Sequence, residues 1–358
     1  MENPFKFGTV VNNEHFTDRT NEQREVRRVL KSSNHLILIS PRRFGKTSLV
    51  KKITTELNRP VISLDLQLIT SVNDFAAQLL KQVLKINKFE KIKHLISSFH
   101  IAPTIELNPL SNNVEISFRP IAKASFTALE DVFNLIEKIG EKSKRPIVVL
   151  DEFQEMVSLD KHLLKQLRSV IQHHKNVSYV FLGSLESMMK TIFESKKSPF
   201  YHFGYLMYLE KIPYSDFYEY LTQRLKKITK KEKNLSKEIL EFTNCHPYYT
   251  QQLAYYCWEY LECNEYAAEM PNKVIAIITG IHDTDYERLW NTINQIDKKV
   301  LISLATDEQF NVLSVATSTI YSSLNRLTKK GYLVKNKTFE FDDPFFKYWI
   351  NSRREFIL

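Results

Sequence analysis

The sequence predicts an α/β chain: a parallel sheet core, a helical segment behind it and a winged helix at the C-terminus. Three observations carry that fold class. The runs at 36–39, 61–66, 146–150 and 177–182 are largely apolar, as for strands covered on both faces. Helical patterns lie between them, which is the habit of parallel sheets. Strand signals fade after Pro213 and return only near the end, as a short pair behind a helix.

In chain order, Thr20 followed by Gln23 is a capping-box signal for a helix running to about Lys31. The run Leu36-Ile37-Leu38-Ile39 is the first strand, and Leu49, Val50, Ile53 and Leu57 mark one face of the helix after it. A second strand at 61–66 and an amphipathic helix at 75–84 follow. Ile105 and Leu107, then Val114, Ile116 and Phe118, alternate around a polar turn at 108–113, which predicts a hairpin. It reads as an insertion on the flank of the sheet, either decorative or offering an edge to a partner. A helix at 127–139 leads to the strand at 146–150, and Leu163, Leu164, Leu167 and Ile171 mark the next helix. Residues 177–184 form a further buried strand with a polar end, and 205–209 the fifth. Beyond Pro213, helices are expected from a Ser215 cap to Ile228 and from a Ser236 cap to Cys263, with a new start at Pro247. The charged run at 226–233 reads as a solvated loop. A helix near 300–304, another at 318–330 stopped by Gly331, and strands at 332–334 and 338–341 complete a winged helix-turn-helix. The expected division is a core at 1–212 with the hairpin insertion at about 99–120, a helical lid at 213–290 and the winged helix at 291–358.

The chemistry sits at the ends of two strands. The first strand runs directly into Ser40-Pro41-Arg42-Arg43-Phe44-Gly45-Lys46-Thr47-Ser48, and Gly-Lys-Thr opens a helix. Backbone N–H groups of such a loop and the positive helix end cradle phosphates, with Lys46 on the β- and γ-phosphates and the Thr47 hydroxyl on Mg²⁺. The usual first glycine is Ser40 here, so the loop enters its turn without a glycine's freedom at positive φ. The strand at 146–150 ends in Asp151-Glu152, at the crevice where α/β sheets bind ligands. Asp151 is expected to hold the metal, and Glu152 to orient and deprotonate the attacking water. Together these predict a P-loop ATPase with an acidic catalytic base, using ATP/ADP and Mg²⁺.

With 358 residues, 43% of them hydrophobic, the chain can fill a large core and should split into two or three domains. Cys245, Cys257 and Cys263 have neither paired nor metal-ligand spacing, which suits buried thiols in a reducing compartment. No apolar run approaches a membrane span and Met1-Glu2-Asn3-Pro4 shows no signal-peptide pattern, so a soluble cytoplasmic protein without a membrane partner is expected. The net charge of +9 makes an anionic partner plausible. Arg42 and Arg43 read equally as an electrostatic rim for triphosphate or as contacts to the lid or a neighbouring subunit. His173-His174 reads as exposed surface rather than a metal site, because adjacent residues on a helix point two ways. Tyr248, Tyr249, Tyr255, Tyr256 and Trp258 have the spacing of a helical core.

With these elements in place, nearly the whole chain resembles the archaeal-type ATPase family, which also occurs in bacteria. That family is related to the STAND signalling ATPases and the AAA+ origin-recognition initiators. The matching residues are Asn3-Pro4-Phe5 with Gly8, Phe16-x-x-Arg19-x-x-Glu22, the 40–48 loop with its leading serine, Asp151-Glu152-Phe153-Gln154, Gly183-Ser184, His246-Pro247-Tyr248-Tyr249 and Asp343-Pro344-Phe345-Phe346. The resemblance implies an AAA+ core of the acidic-base type. It implies that the segment of Phe7 and Arg19 lines the adenine pocket, that Ser184 senses the γ-phosphate, and that Pro247 belongs to a lid element following the nucleotide state. Two departures stand out. The lid's Gly-x-Pro is Cys245-His246-Pro247 here, and no arginine occurs between Gly183 and Pro213, where a finger is often placed. Slow turnover is expected, unless Arg168, a lysine such as Lys196 or Lys197, or a partner substitutes.

The helix at 318–330 has Thr319, Ser322, Asn325, Arg326 and Lys329 on its outward side, a set suited to phosphate and base-edge contacts. Asp342 and Asp343 nearby would repel a phosphate backbone, which favours docking of the winged helix on the ATPase core with ATP-dependent release over DNA binding. Two functions remain open from the sequence. One is an ATP-driven switch, slowly hydrolysing, with a protein partner and a nucleotide-dependent oligomer in reach. The other is a DNA- or partner-binding adaptor with nucleotide as a structural ligand.

Overall fold

The computed structural model describes residues 2–9, 19–87, 89–108, 113–118, 125–263, 270–306, 315–335 and 338–353. Of the hairpin turn expected at 108–113, residues 109–112 lie outside the described residues, as does Phe16 of the N-terminal motif, while Asn108 and Asn113 end the two strands. The chain forms two compact units, Arg19–Glu210, and Met1–Asp18 together with Lys211–Leu358.

The first unit runs α1 (Thr20–Lys31), β1 (Leu36–Ile39), α2 (Lys46–Glu56), β2 (Val61–Asp65), α3 (Val72–Ile86), α4 (Phe89–Ile96), β3 (Thr104–Asn108), β4 (Asn113–Ser117), α5 (Ser125–Lys142), β5 (Ile147–Asp151), α6 (Met156–Leu159), α7 (Leu163–Ile171), β6 (Ser178–Gly183), α8 (Glu186–Phe193) and β7 (Tyr205–Tyr208). Five parallel strands form one sheet in the order β2-β5-β6-β1-β7. Every residue of β1 and β6 is buried, which matches the unbroken apolar run of β1 and the largely apolar run of β6. The hairpin β3–β4 pairs antiparallel as a separate two-stranded sheet, with β4 packed on α3 and Phe118 buried in the core.

Two arginines fasten the amino ends of the strands. Arg59 donates to the carbonyls of Arg145 (2.7 Å) and Leu30 (2.5 Å) and to Ser178 Oγ (2.7 Å). Arg145 donates to the carbonyls of Ser32 (2.8 Å), Ser33 (3.2 Å) and Val177 (2.9 Å). Carbonyls in the loops and at the C-terminal end of α1 thus find charged donors. The N-cap of α1 is Arg19, whose carbonyl accepts from Gln23 N–H at 2.9 Å, so Thr20 is the first helical residue rather than the cap. His174 is buried, not exposed: its ring bonds Tyr179 Oη at 2.6 Å and Asn134 Oδ1 at 3.3 Å, while His173 faces solvent.

The second unit is helical until its end: α9 (Tyr214–Leu225), α10 (Glu232–Thr243), α11 (Pro247–Cys263), α12 (Met270–Ile281), α13 (Asp283–Asn291), α14 (Gln295–Ala305), α15 (Thr317–Lys329), β8 (Leu333–Lys335), β9 (Phe339–Phe341) and α16 (Pro344–Ser352). Ser215 lies inside α9, which begins after Pro213, and buried Ser236 lies inside α10; neither is a cap. Pro247 does open its helix, after Asn244 and Cys245 take left-handed conformations. Tyr249 and Trp258 are core residues, and Phe5 is buried with them, its ring edge-on to Tyr220 and Trp258. The last part, α14, α15, the β8–β9 pair and α16, is consistent with a winged helix, with Ile320, Leu324 and Leu327 of α15 buried. Its side chains share one core with the preceding helices, as in Tyr249 on Phe345 and Tyr286 on Phe346.

Two charges expected at the surface are structural. Arg326 does not simply face outward. Its guanidinium grips buried Asp297 with two bonds, Nε to Oδ2 (2.9 Å) and Nη2 to Oδ1 (2.5 Å), tying α15 to α14. Ser323 also donates to Asp297, as does Asn294 Nδ2 at 2.7 Å. Burial alone would raise the Asp297 carboxyl, but the bonds from Arg326, Ser323 and Asn294 outweigh it and hold it below the usual range. Lys329 is exposed. Asp343 is the N-cap of α16, accepting from Phe345 N–H (2.9 Å), Phe346 N–H (3.3 Å) and Tyr286 Oη (3.0 Å). None of the described helices is long and apolar enough to cross a membrane.

Removing the guanidinium should therefore destabilise the chain. Arg326→Ala leaves Asp297 ionised, buried and short of two donors, at a cost of about 2 kcal/mol given the half-exposed arginine. Urea unfolding of Arg326→Ala against the single variant Lys329→Ala tests this, and equal midpoints would contradict it.

Acid should act through His35. Its Nδ1 accepts from Tyr179 N–H at 3.2 Å. Burial first, then the charges of Arg145, Arg168 and His174, push the imidazole down from 6.5 to about 4. An unfolded chain takes the proton below about 6.5 and the folded chain only near 4, so this stability is present above that window and is lost as pH falls through it. The drop in urea midpoint from pH 7 to pH 5 is expected to be smaller in His35→Asn, which keeps an acceptor without titrating.

Candidate active site

Three strand ends of the first unit build the site. β6 lies between β1 and β5, so the loop after β1, the acids after β5 and Gly183-Ser184 at the end of β6 emerge side by side. Ser40 N–H donates to Gly183 O at 3.3 Å, extending the β1–β6 ladder into the loop. The 40–48 loop places its left-handed residues at Arg43 (φ 65°) and Gly45 (φ 89°). Neither Ser40 nor Pro41 needs positive φ, which is why a serine stands at the loop's start without strain. Gly45 is the N-cap of α2, and Phe44 and Ser48 are buried beneath the loop.

Lys46 is buried and turns back into the loop, where Nζ donates to Ser40 O (2.9 Å) and Pro41 O (3.0 Å). Burial lowers its pKa; the charges of Glu152, Asp151 and Glu186 act against this, and Arg42 with it. Thr47 Oγ1 donates to Asp151 Oδ2 at 2.7 Å, joining residues 104 positions apart. Burial raises Asp151, with Glu152 adding to the rise and the Thr47 bond opposing it. Arg42 and Arg43 are exposed on the loop's outer side.

Glu152 sits in the left-handed region, φ 52°, at the step from β5 into a short turn over Phe153–Glu155. Its Oε2 accepts from Ser184 Oγ (2.6 Å), Ser184 N–H (3.3 Å) and Gln154 Nε2 (2.5 Å). Gln154 is fully buried. In the sequence it stands only as the last residue of Asp-Glu-Phe-Gln, and the signal for its role is an uncharged polar residue two positions after Glu152, beside a buried phenylalanine.

Arg19 is buried in the same unit and takes φ 49°. Its guanidinium donates to Glu22 Oε1 (3.0 Å), Phe44 O (3.2 Å) and Glu210 O (2.8 Å), fixing the loop from behind. Burial lowers its pKa and the Glu22 carboxylate opposes that. The structure thus brings Arg19, the 40–48 loop, Asp151, Glu152 and Ser184 together in one unit. Phe7 and Pro247 belong to the other unit, where Phe7 packs against Tyr248, Tyr255 and Tyr256, and Pro247 begins α11. Arg168 donates to Pro199 O at 3.1 Å and lies over the Phe203 ring, while Lys196 and Lys197 are exposed. For a hard divalent cation the donors present are oxygens, the Thr47 hydroxyl and the Asp151 carboxylate, which suits Mg²⁺. No group of three or more acidic, histidine or cysteine side chains able to hold a metal occurs among the described residues.

The family described as ATPase domain predominantly from Archaea matches residues 16–253. Among solved structures, the Walker-type ATPase of Pyrococcus abyssi is 19% identical, covering 95% of this chain and 97% of that one, with a TM-score of 0.67. The ORC2 protein of Aeropyrum pernix in its ADPNP-ADP complexes is 13% identical, covering 98% and 99%, with a TM-score of 0.56. Its ADP form gives 0.52 at 12% identity, again over 98% and 99%. At these identities the likeness establishes the fold. A search of curated proteins gives no match.

Proposed function

Since the chain belongs to the family of ATPase domains found predominantly in Archaea, we propose that it is a Mg²⁺-dependent ATP switch that hydrolyses slowly. The observation that carries this reading is the pairing of Thr47 with Asp151 at 2.7 Å beside Glu152 held by Ser184 at 2.6 Å. A binding module with nucleotide as a structural ligand has no use for a positioned carboxylate next to its metal-binding pair. The likeness to the fold of ORC2, solved with ADPNP and ADP, supports nucleotide at this loop.

In the proposed reaction, loop N–H groups and Lys46 hold the β- and γ-phosphates, with Arg42 and Arg43 on the rim. Thr47 and Asp151 are the groups that would hold Mg²⁺, which when bound neutralises charge on the phosphate oxygens. Glu152 orients a water and takes its proton as the water oxygen attacks the γ-phosphorus and ADP leaves. Ser184 reports the γ-phosphate through the carboxylate it touches. Arg19 supports the adenine side of the loop, and Phe7 and Pro247 answer to nucleotide in the second unit. The lid at 213–290 and the winged helix at 291–358 then respond as one body, because they share a core. We place the output on a protein partner, with a nucleotide-dependent oligomer as one form of it and the cytoplasm as its location. Nucleic acid is the weaker alternative, since Arg326 is committed to Asp297 and leaves Lys329 as the exposed cation of the pair.

Binding and turnover should separate by mutation. Glu152→Gln is expected to keep ATP affinity within a few-fold and to lose at least about 100-fold in turnover, since the amide cannot accept the proton. Lys46→Ala should instead weaken triphosphate binding. Steady-state phosphate release beside fluorescent-nucleotide titration decides this, and wild-type turnover in Glu152→Gln would overturn the assignment.

Basal turnover should also be slow, because Arg168 is engaged with Pro199 and Phe203 and no arginine lies between Gly183 and Pro213. A rate well below about 10 s⁻¹ is expected for the purified chain. A faster rate without any partner would remove the argument for a switch.

A further inference from the structure

We infer that Gln154 is a positioning residue, holding Glu152 so that a single carboxylate oxygen faces the attacking water. The assignment rests on Glu152 being the base. Three donors converge on Oε2: the Gln154 amide at 2.5 Å and the Ser184 hydroxyl and N–H at 2.6 and 3.3 Å. Oε1 accepts no hydrogen bond from the described residues. Anchoring one oxygen fixes the plane of the carboxylate and leaves the other to take a proton.

The burial of Gln154 argues that this bond is its purpose. The side chain is fully buried next to Phe153, in a core where a leucine or methionine would fill the space. Its amide oxygen, Oε1, is buried and accepts no bond from the described residues, an arrangement an apolar residue would avoid. The amide orientation is dictated by its partner, because the reverse would set oxygen against a carboxylate. Glu152 also needs an external hold. A non-glycine residue at φ 52° is not kept there by its own backbone preference, and the following turn over Phe153–Glu155 supplies Gln154 at the right distance. Ser184 reaches the same oxygen from β6, so the base is held from its own turn and from the neighbouring strand.

The role differs from Ser184's. Ser184 ends a strand beside the loop, where it can exchange Glu152 for a phosphate oxygen. Gln154 is enclosed and can hold nothing except Glu152, so its contribution should be constant through the cycle.

Gln154→Met keeps length and shape and removes the donor. In the full chain with Mg²⁺ and ATP, kcat is expected to fall about 10- to 100-fold, with KM and nucleotide affinity within about threefold. Gln154→Leu, which likewise removes the donor, should fall similarly, and serves if the methionine variant does not fold. The same substitutions in a Glu152→Gln background should cause no further loss, since the group they position is gone. Unchanged kcat in a folded Gln154 variant would overturn the inference. So would an equal loss in the Glu152→Gln background, or a parallel loss of affinity, either of which marks a merely structural role. If Glu152→Gln alone turned over normally, the hydrolysis reading would fall first, and the inference with it.

Discussion

The placement of β6 between β1 and β5 is the constraint on which the site depends. Adjacent strands lie about 4.8 Å apart, so the loop strand and the acid strand are separated by about 10 Å. Were they neighbours, the carboxylates would crowd the loop and leave no room for a phosphate with its ion. With one strand between, Thr47 at the start of α2 still reaches Asp151 at 2.7 Å, and the end of β6 delivers Ser184 to Glu152. The parallel register makes this possible, because all the strands expose their carboxyl ends on one side. The arginines at the amino ends, Arg59 and Arg145, keep that register by absorbing carbonyls in the loops and at the C-terminal end of α1.

How much of this was legible depended on the range of the forces involved. The strands at 36–39 and 147–151 were plain because burial on both faces demands unbroken apolar runs, and the 40–48 loop was plain because phosphate binding demands a lysine and a hydroxyl at a fixed offset. The hairpin β3–β4 was legible from alternation alone. Strand order was not, since nothing local in 178–183 states that it lies between two others. Helix starts failed for a related reason. Thr20, Ser215 and Ser236 look like caps, yet Arg19, Pro213 and Lys231 hold those positions, set by where the chain enters the packed helix. The sequence also does not say which loop residues take positive φ; Arg43 and Gly45 do, so Ser40 needs no glycine's freedom.

Charge was the least legible property. A basic residue on the polar side of a helix reads as a surface contact, but Arg326 is spent on Asp297, 29 residues earlier, and Asp343 on the first turn of α16. Both acids lock elements of the C-terminal part into one core, in which Phe345, Phe346 and Trp349 meet residues of α11 and α13. His174 repeats the lesson at smaller scale. Its neighbour His173 is solvated, whereas two partners, the Tyr179 hydroxyl and the Asn134 amide oxygen, make burial of His174 acceptable.

Lys46 obeys the same rule: its buried ammonium donates to two neutral carbonyls of its own loop, those of Ser40 and Pro41. Burial works against the charge and lowers the lysine's pKa, while Glu152, Asp151 and Glu186 oppose that only in part. In the proposed function the lysine exchanges these carbonyls for phosphate oxygens, so that a charged donor on neutral acceptors becomes a charged donor on charged ones. That exchange frees the carbonyls at the loop's entrance, next to the Ser40–Gly183 hydrogen bond that links the loop to β6. Ser184 follows Gly183 directly and holds Glu152, so a change at the lysine has a short covalent and hydrogen-bonded route to the base. In the proposed function this route is what would couple phosphate occupancy to the carboxylate, through the one strand that separates them.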